Sequence, residues 1–192
     1  MTTRLWLTIS TMALAVSACH PQPAVPAAAD GSEPAAIVVQ TPAPVVTPGP
    51  VVNAKAYLAK AGAADLFEIE TSQAILKTTR KPDIKAFAHM MIETHEKSRD
   101  AVMQAARSAG MAPPPPSLPA DRQQQLDGIK AATGAAADKL YLDDQLSIHV
   151  EALAIHKSYA ADGDNTALRA QAASIAPIVQ QHSDALSRIK RF

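Results

Sequence analysis

The chain has 192 residues, 47% of them hydrophobic and 4% aromatic, with 18 Lys plus Arg set against 18 Asp plus Glu. So even a balance, with no basic run, excludes a surface built to neutralise the phosphates of nucleic acid. A single cysteine excludes an internal disulfide, so the fold must rest on a buried core.

The N-terminal "MTTRLWLTISTMALAVSACHPQ" carries one charge, Arg4, ahead of an apolar run from Leu5 to Val16. That run is shorter than the roughly 20 apolar residues of a membrane-spanning helix, and residues 1–18 read as a secretory signal. Its end, "VSAC", resembles a bacterial lipobox, which implies cleavage before Cys19, lipidation of its sulfur and acylation of the new amino group. Several acyl chains on one residue anchor stably where a single chain binds reversibly. The alternative is an ordinary secreted protein with an unrelated cysteine. His20, standing where an aspartate would retain a lipoprotein at the inner membrane, favours the outer membrane. The expected address is the bacterial envelope, with the membrane engaged through the lipid and the domain facing the periplasm. Loss of the signal removes only Arg4 among the charges, leaving 17 Lys plus Arg against 18 Asp plus Glu.

Residues 19–52 hold eight of the 15 prolines, interleaved with Ala and Val. Such a stretch builds no core and favours an extended, polyproline-like spacer that spans ~100 Å at about 3.1 Å per residue. A role as a ligand for proline-binding modules fits a bacterial envelope poorly.

From Asn53 onward, residues 53–192, Ala, Leu, Ile, Lys, Glu and Gln dominate and no period-two apolar run occurs, so the domain is expected to be all-α. The first helix is expected over about Ala54 to Thr78, with Leu58, Leu66, Ile69 and Leu76 on its apolar side. "KPDIKAF" opens the second, with Pro82 suited to the first helical position and Asp83 to the dipole of the first turn. Gly110 and the four prolines of "AGMAPPPPSLP" stop it near Ser108. A short helix over roughly Asp121 to Ala132 ends near Gly134. Two further long helices follow, about Asp138 to Ala161 and Thr166 to Arg191, the latter with Pro177 inside it as an expected kink. Two tight turns, "TRKP" and "DGDN", and one long crossover containing a short extra helix describe an antiparallel four-helix bundle with ferritin-like connectivity. The "DGDN" loop has neither a glycine at the sixth position nor a bidentate glutamate at the twelfth, as a calcium-binding EF-hand loop needs, and reads as helix caps.

Polar residues fall where these helices should be apolar. In the last helix, Leu168, Ala172, Ile175, Val179, His182, Leu186 and Ile189 follow steps of four and three. In the preceding one, Leu142, Leu146, His149, Leu153 and His156 do so, and in the second helix Phe87, Met91 and His95. On the first helix, Glu68 and Glu70 compete, and periodicity does not choose between them. Counting from the turns puts Glu68, His95, His149 and His182 roughly 18, 22, 21 and 27 Å from the nearest tight connection, near mid-bundle. One polar residue per helix at similar depth reads either as a hydrogen-bonded core, with Tyr141, Tyr159 and Gln145 as candidate partners, or as the shell of a single metal ion. Three imidazoles and a carboxylate suit zinc, copper or iron. A ferritin-like dinuclear centre needs Glu-x-x-His on two helices, and Ile92 and Val179 stand where those carboxylates would be. Met90, Met91, Met103 and Met111 are irregularly spaced and read as core filler rather than copper ligands. His89 is expected to face water. With no nucleophile elbow and no phosphate-binding glycine loop, no catalytic residue is assigned.

"DLFEI", "KAFAHMMIETHEKS", "LYLDDQLSIHVEALAIHKSYA" and "PIVQQHSDAL", in this order, resemble the bacterial envelope family named domain of unknown function 4142. The resemblance spans about Asn53 to Arg191 and implies a ferritin-like helical bundle with no established reaction. It favours Glu68 over Glu70, maps the recurrent histidines onto His95, His149 and His182, and leaves His156 second-tier. Thr94, Val150 and Gln181 depart from residues frequent in such proteins. A lipid-anchored, non-catalytic bundle is expected, its central Glu/His cluster structural or holding one metal ion. The rival expectation is an envelope interaction or stress-protection module without metal, and a mononuclear metalloenzyme stands third. No protein partner is legible.

Overall fold

The computed structural model describes residues 53–113 and 115–189. The signal, Cys19, His20, the tether and the predicted last turn beyond residue 189 lie outside the described residues. Five α-helices make up the described chain: α1 (Ala54–Ile75), α2 (Pro82–Ser108), α3 (Ala120–Ala131), α4 (Gly134–Asp162) and α5 (Thr166–Ile189).

The helix ends follow from their local chemistry. Asn53 accepts the Ala56 amide and caps α1, and Pro82 opens α2 with Asp83 in its first turn. α2 ends in a Schellman motif: Gly110 takes φ 75°, and the amides of Gly110 and Met111 return to the carbonyls of Arg107 and Ala106. Asn165 Oδ1 accepts the Leu168 amide at the start of α5. Asp164 does something the turn reading missed, since its Oδ1 accepts the amide of Ala54 and so ties the α4–α5 loop to the first residue of α1. Gly163 has an ordinary φ of −62°. It is required by space, because a Cβ there would come within 2.6 Å of the Tyr159 carbonyl oxygen. α4 begins at Gly134, four residues before the predicted start, with that glycine at φ 58°.

The four long helices form a ring in which α1 packs on α2 and α4, and α5 packs on the same two. Tyr57 near the start of α1 meets Tyr159 near the end of α4, and Ser72 near the end of α1 meets Tyr141 near the start of α4, so α1 and α4 are antiparallel. α2 and α4 lie diagonally, joined by the crossover. Pro113, Pro115 and Pro116 are outside every helix, and the crossover presses on α1 at Gly62, where a Cβ would lie 3.1 Å from Pro116 Cγ. α3 then lies against α1 and α4, burying Leu126 and Ile129.

The α5 stripe is buried as its periodicity predicts, except Ile189, which is half-buried. The α4 stripe is not. Leu146 is 42% exposed and Leu142 and Leu153 are half-buried, while Tyr141, Gln145, Ile148, Ala152, Ile155 and Tyr159 carry the buried face beside His149 and His156. The reason is that α4 has three neighbours, α1, α3 and α5, which draw apolar residues to several faces.

Candidate metal centre

Each long helix delivers a polar side chain to the middle of the ring: Asp65 and Glu68 from α1, His95 from α2, His149 from α4 and His182 from α5. None is more than 3% exposed. The ring centroids of His95, His149 and His182 form a triangle with sides of 6.0, 5.2 and 5.6 Å. One nitrogen from each lies within 4.8 Å of the others, and the same holds for one donor atom each of Asp65, Glu68 and His95.

Two of the three imidazoles are oriented through Nδ1. His149 Nδ1 donates to the Gln145 carbonyl oxygen at 2.7 Å, a helix-internal bond that fixes the ring and leaves Nε2 with its lone pair. His95 Nδ1 is 2.9 Å from Asp65 Oδ1 and 3.0 Å from Glu68 Oε2, so two carboxylates compete for one ring nitrogen. The other oxygen of Glu68 lies 3.4 Å from His149 Nδ1. What remains is a set of buried atoms with no hydrogen-bond partner in the protein: His95 Nε2, His149 Nε2, His182 Nδ1 and both oxygens of Glu68.

Burial dominates the electrostatics. It pushes His95, His149 and His182 down to about 3, with neighbouring imidazoles adding to the shift of the latter two. At neutral pH all three are therefore neutral and able to donate a lone pair. Burial also lifts Asp65 to about 7, against smaller opposing effects of His156 and Arg99. Glu68 is raised well above its ordinary range by burial first and by Asp65 second. A carboxyl that resists ionisation without a cation beside neutral imidazoles is chemistry that a metal ion reverses.

The surroundings hold these groups in place. Gln145 Nε2 donates to Thr71 Oγ1 at 3.0 Å, linking α4 to α1 beside the cluster, and Ser72 and Tyr141 share a bond of 2.9 Å. Arg122 of α3 sits 5.2 Å above the Phe67 ring and pairs with Glu151, so the α1–α4 side of the cluster is covered. On the opposite side, between α2 and α5, a pocket of about 200 Å³ is lined by His95 and His182.

The four residues singled out from the sequence thus come together. Glu70 is only half-buried and His89 is exposed. His156, second-tier in the sequence reading, is buried but belongs to neither group of converging donors. Its Nδ1 pairs with the Tyr57 hydroxyl at 3.1 Å, and Tyr57 stacks on Tyr159 with centroids 4.1 Å apart. Asp65 was missed. Its spacing of three from Glu68 places both carboxylates on one face of α1, which was the available signal.

The family model for the domain of unknown function DUF4142 matches residues 40–189. The chain belongs to that family. The match begins inside the Pro-rich stretch and runs through all five helices. Among solved structures, a DUF305 fragment from Deinococcus radiodurans is similar, with a TM-score of 0.64 over 76% of this chain and 100% of that one, at 10% sequence identity. At that identity the likeness speaks for the fold alone. No curated protein matches the chain.

Proposed function

We propose that this DUF4142 domain binds a single transition-metal ion of the zinc, copper or iron class at His95, His149, His182 and Glu68, and does so as a lipid-anchored protein of the bacterial envelope. One observation carries the metal reading: five buried donor atoms from these four residues have no partner in the protein. Leaving such a group unpaired costs about 1–3 kcal/mol, so three imidazoles and one carboxyl together are comparable with the ~5–15 kcal/mol net stability of a whole domain. Imidazole nitrogens with free lone pairs and a carboxylate fit these ions by donor type. Asp65 fits beside them as the group that orients His95 through Nδ1. The ion, when bound, supplies Lewis acidity or, for copper and iron, one-electron chemistry.

The test is metal analysis and melting of the full chain purified without a histidine tag. One ion per chain is expected, with His182→Ala releasing it and lowering the melting temperature far more in metal-replete than in chelated protein. Equal losses in both preparations would leave a hydrogen-bonded polar core without metal.

For the address, the support is the lipobox-like "VSAC", together with the absence among the described residues of any helix long and apolar enough to cross a membrane. Cys19→Ser is expected to move the protein from the membrane to the soluble fraction. Sedimentation at the wild-type level would overturn the anchor.

A further inference from the structure

We propose that the pocket between α2 and α5 is a binding site for a small exogenous ligand, uncharged or singly charged, that reaches the metal centre at the edge shared by His95 and His182. This rests on the metal reading above and adds an open position and a ligand class to it.

The architecture gives the centre two unlike sides. Towards α1 and α4 it is backed by Glu68 and Asp65 and covered by α3, whose Arg122 lies over Phe67. Towards α2 and α5 no additional helix lies across the seam among the described residues. There the pocket has His95 and His182 in its wall, and each has a buried ring nitrogen without a partner. His149 is not in that wall, so a ligand arriving through the pocket meets two of the three imidazoles and approaches from the side away from Glu68. With Glu68 on the far side, an outside molecule would take a position beyond the three histidines and the carboxylate, the expansion of the shell that reactive zinc centres allow and closed structural ones do not.

The lining selects the class. Ala101, Ile175 and Val179 make the walls apolar, and Ile178, 41% exposed, stands at the rim. The hydroxyls present are already engaged in part: Thr94 donates to the Met90 carbonyl and Ser174 to that of Gln171. The only charged residue in the lining is Lys97, itself paired with Glu93. Nothing there balances a multiply charged anion, and apart from the two imidazoles no aromatic ring in the lining offers a stacking surface for a base or a sugar. About 200 Å³ holds roughly six molecules the size of water. The fitting ligand is therefore a compact donor of at most about six heavy atoms, with dioxygen, peroxide and azide well within that size.

The experiment loads the full chain with Co(II), whose visible bands report coordination, and titrates it with azide. A saturable change in the bands is expected for wild type, and none with phosphate at the same concentrations. Ile178→Trp and, separately, Ser174→Trp place a bulky ring in the pocket without touching any of the proposed ligands. Each is expected to keep one Co(II) per chain while weakening azide binding tenfold or more. Leu146→Trp, on the exposed face of α4, is expected to leave azide binding unchanged. Failure of wild type to bind Co(II) overturns both the metal reading and this one. Binding of Co(II) with no azide response, or with an equal response in both plugged variants, overturns the pocket and spares the metal reading. A phosphate response matching that of azide overturns the ligand class.

Discussion

Glu68 is a fully buried carboxyl whose oxygens lie 3.0 and 3.4 Å from two imidazole nitrogens, yet it accepts no hydrogen bond. The proton on His149 Nδ1 goes to Gln145, and His95 Nδ1 bonds to Asp65. Without a cation, Glu68 is therefore held protonated, since burial raises it well above its ordinary range. An ion at the histidines would draw it into the ionised form and displace that proton. Two consequences separate a ligand from a merely buried acid. Metal binding near pH 6 should release about one proton per ion, measurable as a dependence of binding heat on the buffer's ionisation enthalpy. Glu68→Gln, neutral and of the same shape, should leave the melting temperature of chelated protein nearly unchanged and weaken metal binding by at least the ~10–100-fold typical of outer-shell groups. Unchanged affinity in a competition titration would remove Glu68 from the shell. The sequence pointed to this residue only through depth and family resemblance. Asp65, one turn away, escaped because a lone Asp on a helix looks like a solvated charge until the α2 imidazole is seen against it.

At the scale of the helix, what was legible depended on how many neighbours each element has. α2 and α5 each touch two long helices, so one face is apolar and the period of the sequence identifies it, histidines included. α4 is covered by three helices, and its leucines proved less buried than its alanine, glutamine and tyrosines. The bounds of α2 were readable because Pro82 and Gly110 act through backbone geometry alone. The link between the α4–α5 loop and α1 was not, because it joins residues 110 positions apart. That link makes a prediction. Gly163 packs on Tyr159, with ring atoms 2.7 Å from where a Cβ would be, and the Tyr159 hydroxyl donates to the same Asp164 oxygen that holds the Ala54 amide. Gly163→Ala must displace Tyr159 or the loop, and should destabilise by about 1–3 kcal/mol, the usual cost of overpacking. A denaturant titration reads this directly. An unchanged midpoint would mean that the loop yields freely, whereas metal stoichiometry should stay the same because the centre lies further along the bundle.

For the whole molecule, the buried cluster sets the pH response of folding, and its two kinds of group act in opposite directions. Folding pushes His95, His149 and His182 down to about 3 and His156 to about 4, against roughly 6.5 in an unfolded chain. Below that value the unfolded chain takes up protons that the folded one refuses, so this contribution is complete above about 6.5 and is lost as pH falls towards 3 to 4. Asp65, lifted to about 7, and Glu68, raised well above its ordinary range, behave inversely. The fold keeps protons that an unfolded chain gives up near pH 4, so their contribution is present at low pH and is lost as pH rises through the folded values. Between about pH 4.5 and 6 the four histidines outweigh the two carboxyls, by about two protons falling to about one, and stability should climb with pH. Above 7 only the carboxyls still change, and it should decline. Metal-free protein is thus expected to melt highest between about pH 6 and 7 and lower on both sides. A bound ion holds Glu68 ionised in the fold, so the alkaline decline should flatten in metal-replete protein while the acid decline remains. Melting curves from pH 4 to 9, with and without chelator, test both limbs. A chelated protein whose melting temperature does not fall between pH 6 and 4.5 would show that these imidazoles are not held neutral by burial. An alkaline decline of equal size in both preparations would show that no ion engages Glu68.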